Sequence, residues 1–430
     1  MSDSFFSEKS MFDRKQAKQI IRSLRSGIPP THGTRFFSVG NENLLKGIKQ
    51  EHLEDLEDMG LIQFISGSWG SGKTHLFRLL RDLSFDEKCL VSNVQLSLDN
   101  AALNKFEKVF AEIVRNIITP TSYAQAQDSD IDGHRHLFEE ALGYLANGCS
   151  TSQQTFTHEE YGIAKKALMG DHHIDIDFKK MVMAYWQLSL PDTLSLSNAE
   201  QKKSEILQWF ICEGRISQYR AYGTSKIIDK NNAKLMMKSL AGFVKLAGYK
   251  GLVILFDEAE QSYSNMSKRA LRDAQNNLLT LINSIEEFKG LFLIYATTPD
   301  FYSDPRHGIQ QYGALAGRIG QPDQNPPKAL NKIWNLDAIE VKLSEYQAAA
   351  LKIRGIYVSA YPDDLDNLPS ETEVKNFVTQ LHTEHSQYAG VRFWRVMVSG
   401  LIKWCDSYIE GKVLKAEEIY VSVMDKLREE

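Results

Sequence analysis

The segment Gly67-Ser68-Trp69-Gly70-Ser71-Gly72-Lys73-Thr74 decides how this chain is read. It follows an apolar run, Leu61-Ile62-Gln63-Phe64-Ile65, and precedes Leu76-Phe77-Arg78-Leu79-Leu80, whose apolar spacing is helical. The pattern G-x-x-x-x-G-K-[ST] therefore sits in the strand, loop, helix setting that it requires. Glycines let the backbone wrap so that successive N–H groups point inward, and the opening of a helix adds the positive end of its dipole. Such a cradle takes phosphate oxygens. Gly67, Ser68, Trp69, Gly70, Ser71, Gly72, Lys73 and Thr74 are the expected nucleotide-binding loop. Lys73 is expected to reach the β- and γ-phosphates, and the Thr74 hydroxyl to ligate Mg²⁺.

A second landmark is Gly251-Leu252-Val253-Ile254-Leu255-Phe256-Asp257-Glu258. An unbroken apolar run suits a parallel strand buried on both faces, and its two acids then fall at the C-terminal edge, where open α/β sheets bind ligands. Asp257 is the expected Mg²⁺ partner through the ion's water shell. Glu258 is placed to orient and deprotonate an attacking water. A third apolar run, Leu291-Phe292-Leu293-Ile294-Tyr295-Ala296, ends in Thr297-Thr298 and is expected to lie between the two nucleotide-bearing strands. Either threonine is a candidate γ-phosphate sensor. Past it, Arg318 is a candidate trans finger toward a neighbouring subunit, with Arg306 as the fallback. Arg392 and Arg395 open a C-terminal helix that can close onto the nucleotide.

Composition bounds the rest. The chain has 430 residues, 43% hydrophobic and 24% charged, which fits a folded protein of two to three domains. A net charge of −5 argues against a uniformly basic nucleic-acid coat and leaves room for a local basic groove. The four cysteines are far apart and form no C-x-x-C pair, so a disulfide framework or zinc site is not expected. Adjacent His172 and His173 offer no ligand pair on one helix face. No stretch reaches eighteen uninterrupted apolar residues and the N-terminus has no signal-peptide pattern, so a cytoplasmic location is expected, without membrane contact.

In order, residues 1–36 form an N-terminal basic helical segment, with Lys15, Lys18, Arg22 and Arg25 interleaved with Ile20, Ile21 and Leu24. Residues 37–98 and 249–342 are expected to form the nucleotide-binding core, with a helical insertion over 99–248 between Lys73 and Asp257. The segment Leu336 to Val341 reads as the last strand, and 343–430 as an all-helical lid. The expected fold is α/β, with a parallel sheet flanked by helices.

The order of phosphate loop, Asp-Glu strand, Thr-ended strand, arginine and helical lid resembles the AAA+ ATPases. Val39-Gly40-Asn41-Glu42 resembles the adenine-flanking V-G-R-E entry of Cdc6-like and STAND members, with Asn41 in place of Arg. That resemblance implies base contact at Val39 and Gly40. A closer likeness is to the BrxD-like ATP-binding components of BREX phage-exclusion systems. It rests on Leu24-Arg25-Ser26-Gly27-Ile28-Pro29-Pro30, the phosphate loop, Ile206-Leu207-Gln208-Trp209-Phe210, and Gly248-Tyr249-Lys250-Gly251-Leu252. Phe256-Asp257-Glu258-Ala259-Glu260, Ala296 to Tyr302, and Tyr312-Gly313-Ala314-Leu315 complete it. The resemblance implies ATP and Mg²⁺ as ligands and a phage-defence setting with helicase, methyltransferase and phosphatase-like components. A homo-oligomer and double-stranded DNA are further expected partners, with the basic helix at 12–26 and Lys268, Arg269 and Arg272 as candidate DNA contacts. A nucleotide-dependent scaffold with little turnover and a P-loop kinase are the alternatives.

Overall fold

The computed structural model describes residues 13–97, 101–125, 133–149, 155–194, 197–259, 266–386 and 392–429. Six strands form one sheet: β1 (Gly60–Ser66), β2 (Cys89–Gln95), β3 (Ile117–Ile118), β4 (Gly251–Asp257), β5 (Leu291–Thr297) and β6 (Ile333–Asn335). Their spatial order is β3-β2-β4-β5-β1-β6. All neighbours are parallel except β3, which runs antiparallel along β2. This is the expected α/β fold, and β5 does lie between the phosphate-loop strand and the Asp-Glu strand.

The apolar runs are unbroken because both faces of the sheet are covered, and a strand's period of two divides its side chains between them. Leu252, Ile254 and Phe256 of β4 join the core on one face with Leu291, Leu293 and Tyr295 of β5. Val253 and Leu255 join the other face with Phe292, Ile294 and Ala296. Each of these side chains is at most 3% exposed. At about 25 cal/mol per Å² of apolar surface removed from water, each buried Val, Leu, Ile or Phe among them contributes roughly 1.5–3 kcal/mol. The second face is covered by the helices Glu42–Ile48 and Lys73–Asp86, the latter through Leu76, Phe77, Leu79, Leu80 and Leu83.

The first face is covered by the helix Lys268–Ser284 and by the segment 99–248, whose helices include Phe106–Arg115, Gly133–Asn147, Ile176–Gln187, Ala199–Phe210 and Ala233–Leu246. That segment shares one continuous core with the sheet. Its Ile117, which continues the helical spacing of Phe106 to Val114, instead belongs to the short edge strand β3, paired with Ser92. A short antiparallel strand there covers an otherwise open sheet edge.

The C-terminal helices Leu343–Ala360, Glu371–His385, Phe393–Ile409 and Ala416–Glu429 build a separate core. The basic helix Arg14–Arg25 is docked on it through Ala17, Ile20, Ile21 and Leu24. Its cations are partly committed there: Arg14 pairs with Asp363 at 2.8 Å, Arg25 with Asp406 at 2.7 Å, and Lys18 lies 5.6 Å from the Tyr361 ring centre. The last strand lies earlier than the sequence pattern suggests. Ile333–Asn335 pairs with β1, and the Asn335 side chain accepts from Asp337 N–H at 3.1 Å, turning the chain into the short helix Leu336–Ala338. Among the described residues no helix is long and apolar enough to cross a membrane.

Candidate functional site

The loop after β1 is shaped by its glycines. Gly72 has φ +97° and immediately precedes the helix Lys73–Asp86, a conformation that a side chain would strain. At Gly67 a Cβ would stand 2.2 Å from Ser71 Oγ. No side chain caps the helix, so its first N–H groups and its dipole are open to an anion. The Lys73 amine, 9% exposed, donates to the carbonyls of Gly67 at 2.6 Å and Ser68 at 3.3 Å, curled back over its own loop. Ser71 Oγ is buried without a hydrogen-bond partner. An orphaned hydroxyl and a buried ammonium beside an uncapped helix start fit a polyanionic group.

At the end of β4 the Thr74 hydroxyl lies 3.3 Å from Asp257 Oδ2. Burial raises the Asp257 pKa above the usual carboxylate range, opposed by the Glu258 N–H, by Lys73 and by Thr74. A hydroxyl and a carboxylate together are hard oxygen donors of the kind Mg²⁺ uses beside phosphates, and a cation there would offset the cost of burying the charge. Glu258 adopts φ +53°, the left-handed region where a non-glycine residue costs of order 1 kcal/mol or more. Its N–H donates to Asp257 Oδ1 at 3.0 Å, and its carboxylate accepts from the Gln95 side chain. Gln95 ends β2 directly opposite Asp257.

These groups line a cavity of about 560 Å³ between core and lid, within the range of small-ligand pockets. Val39, Gly40, the loop from Trp69 to Thr74, Asp257, Glu258 and Arg392 all border it. Leu24, Ile28, Phe37, Tyr346 and Val398 add apolar lining. The cavity thus combines the polar groups a phosphate needs with apolar surface that suits a base.

Over residues 12–422 the chain matches the family described as BREX system ATP-binding protein BrxC/D. It belongs to that family. No curated protein and no solved structure matches the chain.

In this BREX ATP-binding family member three polar residues join the site that the sequence reading passed over. Gln95 holds Glu258; as a polar residue ending an apolar strand at the C-terminal edge, it carries the same signal that singled out Asp257. Asp337 accepts from Ser68 N–H at 2.9 Å and Ser68 Oγ at 2.8 Å, and pairs with Arg392. The Asn335-x-Asp337 turn was its only sequence cue. His75 borders the cavity, its Nε2 3.1 Å from Ser38 Oγ and its ring packed on Phe37, and burial pushes its pKa down to about 4. Asn41, where the resembled families carry Arg, donates to the same Ser38 hydroxyl at 3.4 Å.

Other candidates lie outside the cavity lining. Thr297 is fully buried, its carbonyl accepting from Gly67 N–H at 3.1 Å and its hydroxyl unpartnered; Thr298 is 5% exposed. Arg318 is exposed on the helix Gly313–Ile319, and Arg306 is exposed as well. Neither lines this chain's own cavity. Asp171 and Asp175, around the paired histidines, bond to backbone N–H groups of their own segment. Glu260 lies outside the described residues.

Proposed function

We propose that the chain is a P-loop ATPase that binds ATP and hydrolyses it. The observation that carries this reading is the meeting of Thr74 with Asp257, beside a strained Glu258, at the mouth of the glycine loop. Lys73, freed from the loop carbonyls, would take the β- and γ-phosphates. Thr74 and Asp257 would hold Mg²⁺, which when bound neutralises charge on the phosphate oxygens. Glu258 would accept the proton of the attacking water, and Arg392 would approach from the lid. Val39 and Gly40 would flank the base. Thr297 or Thr298 would sense the γ-phosphate through the loop, and Arg318 would act on a neighbouring copy's nucleotide. The test is ATP turnover and particle size, with and without DNA, for the wild type and Glu258→Gln. Undiminished turnover in that variant would contradict the assigned base.

One observation favours a second reading, a nucleotide-dependent switch with little basal turnover. Glu258 Oε2 already accepts from the Gln95 side chain, so that oxygen has to be released before it can take a proton from water. Negligible turnover even with DNA and other defence components present would favour the switch.

The setting we propose is cytoplasmic, in a homo-oligomer working with other BREX components such as a helicase, a methyltransferase and a phosphatase-like protein. Lys268, Arg269 and Arg272, exposed on the first turns of the helix that follows β4, are our candidate contacts to double-stranded DNA. Neutralising them should lower the salt dependence of DNA binding; an unchanged slope would reject the assignment.

A further inference from the structure

The lid arginine that borders the phosphate loop has a carboxylate partner. Arg392 immediately precedes the lid helix Phe393–Ile409, and its guanidinium donates to Asp337 Oδ1 and, at 3.2 Å, to Ser68 Oγ. The same Asp337 carboxylate accepts both the backbone N–H and the hydroxyl of Ser68. One acid, supplied by the turn after β6, thus ties the second residue of the phosphate loop to the lid. Gly70 faces the same arginine: a Cβ there would make ordinary van der Waals contact, 3.7 Å from the Cβ and Cγ of Arg392. Arg392 lines the cavity, whereas Asp337 does not. The carboxylate is 23% exposed and the guanidinium 42%, so both are in partial contact with solvent.

We propose that Asp337 is a positioning residue that sets how strongly the lid responds to a terminal phosphate. Its carboxylate and the γ-phosphate of a bound nucleoside triphosphate compete for the guanidinium of Arg392. This rests on reading the cavity as a triphosphate site. A diphosphate places less charge near Arg392 and leaves the Asp337 pair in place. A triphosphate draws the guanidinium, and with it the start of the lid helix, toward the loop. Asp337 thereby costs the triphosphate some affinity, and in return makes the lid's position depend on the γ-phosphate.

The experiment uses the full chain and measures affinities for ADP and for a non-hydrolysable ATP analogue. It compares the wild type, Asp337→Asn, Arg392→Ala and the double variant. Asparagine retains an oxygen for Ser68 N–H while removing the charge. Because the pair is partly exposed, its loss should tighten analogue binding only about three- to tenfold, with ADP affinity unchanged. In the Arg392→Ala background the same substitution should change neither affinity. Equal weakening of both nucleotides would show a merely structural anchor and overturn the proposal, as would a gain that persists without Arg392. Asp337→Ser, also uncharged, gives the same ratio by a second route if the asparagine variant folds poorly. A wild type that binds neither nucleotide would overturn the ATPase reading and this proposal together. A wild type that binds both, with an unchanged ratio in Asp337→Asn, would overturn this proposal alone.

Discussion

The Thr74 hydroxyl donates to Asp257 Oδ2 at 3.3 Å across 183 positions of sequence. The contact exists because β1 and β4 are both parallel neighbours of β5, so their C-terminal ends reach the same edge of the sheet. The phosphate loop and the acidic pair are thereby held on rigid elements.

Lys73→Ala should abolish nucleotide binding, with titration calorimetry showing at least about a hundredfold loss of affinity. The Lys73 ammonium has no substitute in this loop, and a charge-assisted bond from it to a phosphate would be worth about 1.5–3 kcal/mol. Retained affinity would remove the loop from the site.

Glu258→Gln should leave ATP affinity within a few-fold of wild type and lower turnover by roughly 10²- to 10⁴-fold. The amide keeps the size of the side chain and loses its ability to take a proton. Phosphate release under single-turnover conditions separates this from a binding defect.

Gln95→Ala should raise basal turnover by about two- to fivefold with unchanged ATP affinity. The substitution removes the amide that holds the Glu258 carboxylate, leaving that side chain free to turn toward an attacking water. Steady-state phosphate release is the measurement, and a fall in turnover would mean that Gln95 aligns the glutamate for catalysis.

Stability should fall with pH because of His75, whose pKa is pushed from 6.5 down to about 4 by burial. Between those values the unfolded chain binds a proton that the folded chain refuses, so the folded state loses ground as pH drops. The loss begins below 6.5, saturates near 4 and amounts to at most about 3 kcal/mol. Urea midpoints for wild type and His75→Gln should therefore converge or cross as pH is lowered from 7 to 4.5. Parallel lines would assign the acid sensitivity elsewhere.

Arg81→Met should destabilise the fold by roughly 3–5 kcal/mol, measured by urea denaturation, because it leaves the Asp82 carboxylate buried without its cation. Arg81 is 1% exposed, pairs with Asp82 at 2.9 Å, and donates to the Thr31 carbonyl at 2.7 Å and the Tyr123 hydroxyl at 2.5 Å. It joins the phosphate-loop helix to the N-terminal segment and to the segment 99–248. An unchanged midpoint would show that water replaces it.

Local pattern alone determined the phosphate loop, four of the five parallel strands in outline, the acids at the end of β4 and the helical lid. Each is written in a run of adjacent residues, where glycine spacing, an unbroken apolar stretch or a helical period leaves little choice of backbone. Tertiary structure decided what those residues touch. Gln95, Asp337 and His75 entered the site because side chains from distant segments converge there, and no local period records a partner far away in sequence. The shift of the last strand to Ile333–Asn335 has the same origin: pairing with β1 fixed its register, and Asp337 was drawn out of it to hold Ser68 and Arg392. The basic helix Arg14–Arg25 looked free for an outside partner, yet its apolar face had a lid to cover, and burial of that face set where its charges went.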